Sequence, residues 1–281
     1  MPVHTIGVIG VGSGIAQTAA TKGFGVILID VSEVAVGKGI DAVESRLARI
    51  VAKGKMSGSE QEAALKRIHG TTDYAALKSA DVVIEAATEN YDLKAKILKQ
   101  IDSLVRRETI ITSNTSSVSV TKLASVISHP DRFVGMHFFN PVPVMALVEI
   151  VRGLQTSDAT HAAITTLATR LGKSPITVKS TPGFVVNRML LPMINEAFFV
   201  LAEGDASAKD IDEGMKLGCN HPIGPLALAD LIGLDVLLAV MQTLHSEFAD
   251  SKYRPCPLLK EMVAAGYLGR KSGRGVFSYQ A

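Results

Sequence analysis

The stretch from Gly135 to Glu149 places a histidine, an asparagine and a glutamate within otherwise apolar sequence. An ionised carboxylate in a buried strand costs several kcal/mol unless it has a partner, and His137 is the natural partner for Glu149. A carboxylate beside an imidazole fixes its tautomer and stabilises the imidazolium form. The two side chains therefore suit a general base and the group that orients it. The alternative is a structural core histidine and a glutamate whose carboxylate reaches solvent.

Two short strands are predicted to hold this pair. Residues 133–138 are mostly apolar and fit no helical period, which predicts a strand. The asparagine and two prolines that follow predict a turn, and residues 146–151 predict a second strand. His137 would then lie near the end of the first strand, and Glu149 well inside the second.

A glycine-rich turn near the start of the chain indicates a nucleotide site. A predicted strand at residues 5–9 is followed by the turn, with Gly10, Gly12 and Gly14, and then by a predicted helix at residues 15–22. A second predicted strand at residues 25–29 ends at the acidic residue Asp30. This order is the dinucleotide-binding layout. Asp30 lies 20 residues after Gly10, the offset at which a carboxylate accepts hydrogen bonds from the adenosine ribose. It also repels a 2′-phosphate, which favours NAD over NADP. The alternative is a turn that binds no ligand.

Composition limits the partners of the chain. Its 281 residues suffice for two domains, and a hydrophobic fraction of 47% allows a sizeable core. The net charge of +2 gives no reason to expect a nucleic-acid partner, and no apolar run approaches the roughly 18 residues that span a bilayer. Two cysteines cannot form a disulfide framework, and they fit a reducing cytoplasm. The histidines do not cluster at ligand spacing, so we expect no metal site.

The Gly135–Glu149 stretch resembles the signature of the 3-hydroxyacyl-CoA dehydrogenase family almost residue for residue. The resemblance extends over essentially the whole chain and is strongest to the short, single-function bacterial members. It implies hydride transfer between C3 of a short-chain 3-hydroxyacyl-CoA, such as 3-hydroxybutyryl-CoA, and the nicotinamide of NAD. It also implies that His137 takes the hydroxyl proton while Glu149 orients the ring.

The resemblance assigns further contacts to polar residues elsewhere. A catalytic serine that also touches substrate and cofactor matches Ser116, and a substrate-contacting asparagine matches Asn187. A lysine that meets the phosphates of CoA matches Lys53 best. Together with the turn and its acidic residue, the expected cofactor contacts are Gly10, Gly12, Asp30, Glu89, Lys94, Asn114, Ser116, Asn140 and Lys271.

Several of these residues also have a structural interpretation. One hydroxyl of the cluster at residues 113–117 would cap the helix predicted to follow it. Arg46, Arg49 and Lys53 recur at three- and four-residue intervals and so share one helix face, which is usually a solvated basic face. Asn187 would bind backbone at a domain boundary. Glu89 and Lys94 would be an ordinary charge pair at the start of a helix. Lys271 would be a solvated tail residue.

The glycine turn departs from the family pattern. The family reads Gly-x-Gly-x-x-Gly, then one residue before Gly-Ile-Ala-Gln, whereas here residues 10–13 directly precede Gly14-Ile15-Ala16-Gln17. Three residues are missing, and strict spacing puts Ile15 in the place of the third glycine, where it would crowd the strand and the pyrophosphate. We expect either a helix that begins later, after Ser13 and Gly14, or amides that no longer point at the phosphates.

The predicted fold is α/β, with a Rossmann-type dinucleotide-binding domain at residues 1–182 and a smaller all-α domain at residues 183–281. Helices in the second domain are predicted at residues 184–203, 209–217, 225–248 and 258–265. The run from Leu234 to Met241 is nearly all apolar, which predicts a homodimer through this domain. Two alternatives to the expected enzyme remain. One is a dehydrogenase of 3-hydroxyadipyl-CoA or longer acyl chains, and the other is a non-catalytic dimeric relative that no longer holds NAD.

Overall fold

Eight strands form one sheet in the first part of the computed structural model, which describes residues 3–279. In chain order the strands are β1 (Thr5–Gly10), β2 (Gly25–Ile29), β3 (Ile68–Thr71), β4 (Val82–Ala86), β5 (Ile110–Ser113), β6 (Phe133–Phe138), β7 (Leu147–Arg152) and β8 (Ser174–Lys179). Across the sheet they lie in the order β3-β2-β1-β4-β5-β6-β7-β8. The first six run parallel, β7 is antiparallel to β6, and β8 is parallel to β7.

The sheet order creates a ligand-binding edge. From β1 the chain moves outward to β2 and β3, then returns to β4 on the other side of β1. Doubly wound sheets bind ligands outside the carboxyl ends of their strands at such a reversal. The inner strands are mostly apolar because both of their faces are covered, and every residue of β4 is buried.

Six helices connect these strands. They are α1 (Ser13–Thr21), α2 (Glu33–Ala52), α3 (Gly58–Lys66), α4 (Tyr91–Leu104), α5 (Val120–Ala124) and α6 (Asp158–Arg170). Neither α3 nor β3 was predicted from the sequence. A signal for α3 exists, because the Ser57 hydroxyl accepts from the amide of Glu60 while the Glu60 carboxylate accepts from the amide of Ser57. This capping box marks a helix start in the sequence itself.

The chain divides into two compact units between Thr181 and Pro182. The second unit contains five helices in the described part, α7 (Val186–Glu203), α8 (Ala208–Cys219), α9 (Pro225–Ile232), α10 (Leu234–Phe248) and α11 (Pro257–Ala264). The single helix expected at residues 225–248 is wrong. It breaks at Gly233, whose φ of 104° lies in the region that glycine adopts most easily, and the two halves meet at 98°.

The apolar run on α10 is used within the second unit. Leu234, Leu237 and Met241 are fully buried there, in a core that also includes Ile194 and Phe198 of α7. The unit's own helices therefore cover these three residues, whereas Val236 in the same run is 45% exposed, and the homodimer through this unit stays a prediction. The predicted fold class, a Rossmann-type domain followed by a helical domain, is confirmed.

No single helix between residues 3 and 279 is long and apolar enough to cross a membrane, and α9 together with α10 reaches that length only across the 98° bend between them. Within the same range no group of three or more His, Cys, Asp or Glu side chains is arranged to hold a metal ion.

Candidate active site

Strands β6 and β7 place His137 beside Glu149. The antiparallel register pairs the two residues directly, so their side chains share one face of the sheet. Nδ1 of His137 lies 2.7 Å from Oε2 of Glu149, and the two side chains are 7% and 0% exposed. A charge-assisted hydrogen bond of this length fixes the ring orientation and stabilises an added proton on the imidazole.

Asn114 ties the strand ends next to this pair together. Its backbone amide donates to the carbonyl of Glu85 at 2.7 Å. Its side-chain oxygen accepts from the amide of Phe138 at 2.8 Å, one residue after His137. The two hydrogen bonds of Asn114, one from its backbone and one to its side chain, thereby fix the carboxyl ends of β4, β5 and β6 relative to one another.

The hydroxyl cluster after β5 surrounds the carboxylate of Glu89. Oε1 of Glu89 accepts from the Thr115 hydroxyl at 2.5 Å, the Ser116 amide at 2.8 Å and the Ser117 amide at 2.7 Å. The Ser116 hydroxyl lies farther away, at 3.4 Å. The cluster does not cap α5, because Ser119 is the capping residue. It holds Glu89 at the carboxyl edge of the sheet instead.

A buried ion pair supports this arrangement. Lys94 is fully buried, with Nζ 3.0 Å from Oε1 of Glu85 and 3.5 Å from Oε2 of Glu89. The Ser113 hydroxyl donates to the other oxygen of Glu85 at 2.6 Å. Burial alone would raise the pKa of Glu89, but the Lys94 ammonium and the hydrogen bonds from Thr115 and Ser117 outweigh it and lower that pKa.

Direct cofactor contact by Lys94 does not fit this geometry, because protein atoms enclose the whole side chain. The lysine acts on the cleft through Glu89, which is partly exposed. The role of Glu85 was not foreseen, although a lone charge within the apolar β4 segment was visible in the sequence. Such a charge requires a buried partner, and the sequence alone did not identify which one.

Three clefts follow the carboxyl edge, and Val11 lines all of them. The largest, of about 340 Å³, is lined by Gly12, Asn114 and Asn140 among others. Two smaller ones, of about 250 and 210 Å³, are lined by Gly10 and Asp30. Gly10 has a φ of +85°, which favours glycine, and a Cβ there would meet the backbone of Ala86 and Ala87 at the end of β4. The arrangement fits a dinucleotide, with the acidic residue at one end and the two asparagines at the other.

The shortened turn is a continuous, regular helix start. The amide of Ala16 donates to the carbonyl of Gly12 at 2.9 Å, so α1 begins at Ser13, and the expected later start with Ser13 and Gly14 as loop is wrong. Ile15 is 2% exposed and packs into the core, and it also lines the cleft beside Gly12. A Cβ on Gly12 would overlap the Val8 side chain, so this glycine allows the close packing that a third glycine normally provides.

The basic face of α2 is not uniformly solvated. Arg46 is half-buried and donates from Nε to Oε1 of Gln17 at 2.7 Å and from Nη2 to the Ser13 hydroxyl at 3.0 Å. It lines the largest of the three clefts along the carboxyl edge. Arg49 and Lys53 are exposed, and Lys53 follows the last turn of α2. Helical spacing indicated that these residues share a face, but not that one of them turns toward α1.

The remaining predicted residues lie in the second unit. Asn187 is half-buried in the first turn of α7. Lys271 lies in a short 3₁₀ helix and bonds to Oδ2 of Asp235 at 2.6 Å. Lys271 is 47% exposed, as a solvated residue would be, but its ammonium is paired with Asp235. The ligand contacts of Asn187 and Lys271 stay predictions.

Comparison with known proteins identifies the family. A family model described as the NAD-binding domain of 3-hydroxyacyl-CoA dehydrogenase matches residues 3–181, and a model of its C-terminal domain matches residues 183–279. The chain belongs to the 3-hydroxyacyl-CoA dehydrogenase family. It is an NAD-dependent enzyme of that family, and the predicted enzyme class and cofactor are confirmed.

Individual members of the 3-hydroxyacyl-CoA dehydrogenase family match over nearly the whole chain. The crystal structure of (S)-3-hydroxybutyryl-CoA dehydrogenase from Ralstonia eutropha is 64% identical, with a TM-score of 0.97 and coverage of 100% of both chains. A probable 3-hydroxybutyryl-CoA dehydrogenase of Bacillus subtilis is 51% identical over 96% of this chain and 94% of the relative. The 3-hydroxyadipyl-CoA dehydrogenase of Escherichia coli is 41% identical over 99% of this chain and 60% of the relative.

Proposed function

We propose that the enzyme interconverts (S)-3-hydroxybutyryl-CoA and acetoacetyl-CoA with NAD as the redox partner. Similarity to the Ralstonia enzyme, at 64% identity over the full length of both chains, supports this substrate. The single observation that carries the mechanism is the buried hydrogen bond of 2.7 Å between His137 and Glu149.

In the direction of oxidation, His137 takes the proton of the 3-hydroxyl group while the hydride leaves C3. Because Nδ1 is bonded to Glu149, Nε2 is the ring nitrogen that exchanges the proton with substrate. NAD, when bound, would supply the hydride acceptor. Glu149 keeps the ring oriented and stabilises the positive charge that it acquires. In the reverse direction the imidazolium returns the proton to the 3-oxygen.

Other polar residues would position the two ligands. Ser116, whose backbone is held by Glu89 at 2.8 Å, is proposed to donate a hydrogen bond to the 3-oxygen of the substrate. Asn187 would orient the thioester, and the exposed Lys53 would meet the phosphates of CoA. Gly10, Gly12, Asp30, Glu89, Asn114, Asn140 and Lys271 complete the proposed cofactor contacts.

A homodimer through the second unit is part of the proposal. Apolar side chains are exposed there, with Met189 at 71%, Leu217 at 79% and Leu231 at 54%. A groove of about 470 Å³ between α7 and α8 has a mainly apolar lining. An apolar groove of this kind favours a protein partner. We also place the enzyme in the cytoplasm, on the ground that Cys219 and Cys256 are both free thiols.

A substrate panel tests the proposed function. NADH oxidation would be followed with acetoacetyl-CoA, 3-oxoadipyl-CoA and 3-ketoacyl-CoAs of six to sixteen carbons at fixed NADH. The expected result is the highest kcat/KM with acetoacetyl-CoA. A higher kcat/KM with the carboxylated substrate would favour the activity of the E. coli relative, and no oxidation with any substrate would contradict the enzyme assignment.

A further inference from the structure

The guanidinium of Arg46 lacks a carboxylate partner in the described part of the chain. Its two hydrogen bonds go to neutral side chains of α1, Gln17 at 2.7 Å and Ser13 at 3.0 Å. Burial lowers the pKa of Arg46, and no neighbouring carboxylate acts against this effect. Because the Gln17 side chain is itself only 2% exposed, the guanidinium is anchored in a fixed position above the first turn of α1.

The charge at this end of α1 is unfavourable without an anion. The helix starts at the Gly12 cap, which has no side chain to bond the first amides, and its first turn contains no acidic residue. The N-terminal end of a helix carries about half a positive charge. A guanidinium at that end adds a second positive charge, although cations are stabilising at the opposite end. An anion bound between Arg46 and the helix start would resolve this repulsion.

The cleft at this position is part of the cofactor site. Arg46 lines the same cleft of about 340 Å³ as Gly12, Ser13, Asn114 and Asn140. The glycine turn and the helix N-terminus hold the diphosphate in dinucleotide-binding folds. In this chain the turn is three residues shorter than the family pattern, so fewer backbone amides are available for that diphosphate.

We infer that Arg46 binds the diphosphate of NAD and supplies hydrogen bonds that the shortened turn does not. The inference rests on the NAD-dependent function. Two of the five N–H groups of Arg46 bond to Ser13 and Gln17, and the other three have the planar arrangement that suits phosphate oxygens. A diphosphate also occurs in CoA, so the test separates the two ligands.

Calorimetric titration measures the role directly and independently of turnover. Wild type, Arg46→Met and Arg46→Lys would be titrated with NADH, ADP-ribose and CoA. Arg49→Met is the matched control, since it removes an exposed arginine one turn along the same helix. Loss of a charge-assisted phosphate contact is expected to raise the Kd of R46M for NADH and for ADP-ribose by roughly 10- to 100-fold. R46K should show a smaller rise, and R49M and all CoA values should stay within about twofold of wild type.

The outcomes separate this inference from the function on which it rests. Unchanged Kd values of R46M for NADH and ADP-ribose would overturn it, and so would a loss of affinity for CoA alone. If R46M does not melt cooperatively, R46K provides the test, because lysine keeps the positive charge but lacks the planar N–H donors of the guanidinium. A Kd of R46K equal to that of wild type would then overturn the inference. Wild-type protein that binds no NADH would contradict the NAD-dependent function itself.

Discussion

Replacing Glu149 with glutamine removes the charge of the carboxylate and keeps its approximate shape. The native carboxylate is fully buried, 2.7 Å from Nδ1 of His137. A glutamine oxygen can still accept a hydrogen bond from the neutral ring. It cannot stabilise the positive charge that the ring acquires as it takes the substrate proton. The substitution therefore separates orientation of His137 from stabilisation of its charge.

The size of the effect follows from the strength of a charged hydrogen bond. Such a bond contributes about 1.5–3 kcal/mol, and the charge develops mainly as the transition state is reached. A barrier higher by this amount corresponds to a kcat lower by roughly 10- to 150-fold. The KM for NADH should change little, because the Glu149 carboxylate is buried against His137 and lines none of the clefts along the carboxyl edge.

A double-mutant cycle provides the assay. The kcat of NADH oxidation with saturating acetoacetyl-CoA would be measured for E149Q, H137Q and the double variant, with E108Q as a control at an exposed glutamate. Glu149 acts through His137, so E149Q should cost little when His137 is already gone. An equal loss of rate in both backgrounds would refute the coupling, as would a wild-type kcat in E149Q.

Three further predictions follow from the structure. Asp30→Ala should narrow the preference for NADH over NADPH in kcat/KM, because it removes a carboxylate that repels the 2′-phosphate; a native preference for NADPH would contradict this role. Inserting Thr-Met-Gly between Gly12 and Ser13 should lower the Kd for NADH, because it lengthens the N-terminal end of α1 by about 4.5 Å and adds amides; equal calorimetric values would refute it. Asp102→Asn removes a carboxylate 2.6 Å from Arg132. Burial opposes ionisation of Asp102, but hydrogen bonds from a backbone amide and Arg132 lower its pKa. The contribution of Asp102 to the stability of the folded protein is therefore complete above its pKa in the unfolded chain, about 3.9. That contribution is lost as the pH falls through the lower pKa of the folded protein. Urea unfolding should find D102N less stable by about 1.5–3 kcal/mol at pH 7, and the difference should shrink below pH 4; a constant difference would contradict the linkage.

The strands around the active site were predictable because their signals are local. The prediction for β6 gave the observed bounds of Phe133–Phe138, since an apolar run there ends at turn-forming residues. For β7 the predicted segment differs from the observed Leu147–Arg152 by one residue at each end. The turn between the strands then limits which residues lie opposite His137.

Contacts between distant segments were not predictable. The bond between Lys94 and Glu85 depends on how α4 packs beside β4, and Arg46 meets Gln17 across 29 residues of sequence. Helical spacing defines a face but does not identify what covers it. The break at Gly233 was hidden for a related reason, because apolar residues on both sides continue the helical pattern and only the tertiary packing selects the bend.

The central claim is that His137 exchanges the substrate proton during hydride transfer. The most direct test is the kcat of His137→Gln with NADH and saturating acetoacetyl-CoA, together with its Kd for NADH by calorimetry. A positioned acid–base group contributes roughly 10²- to 10⁴-fold, so kcat should fall by that factor while the Kd stays within about twofold of wild type. Wild-type turnover in H137Q would contradict the account.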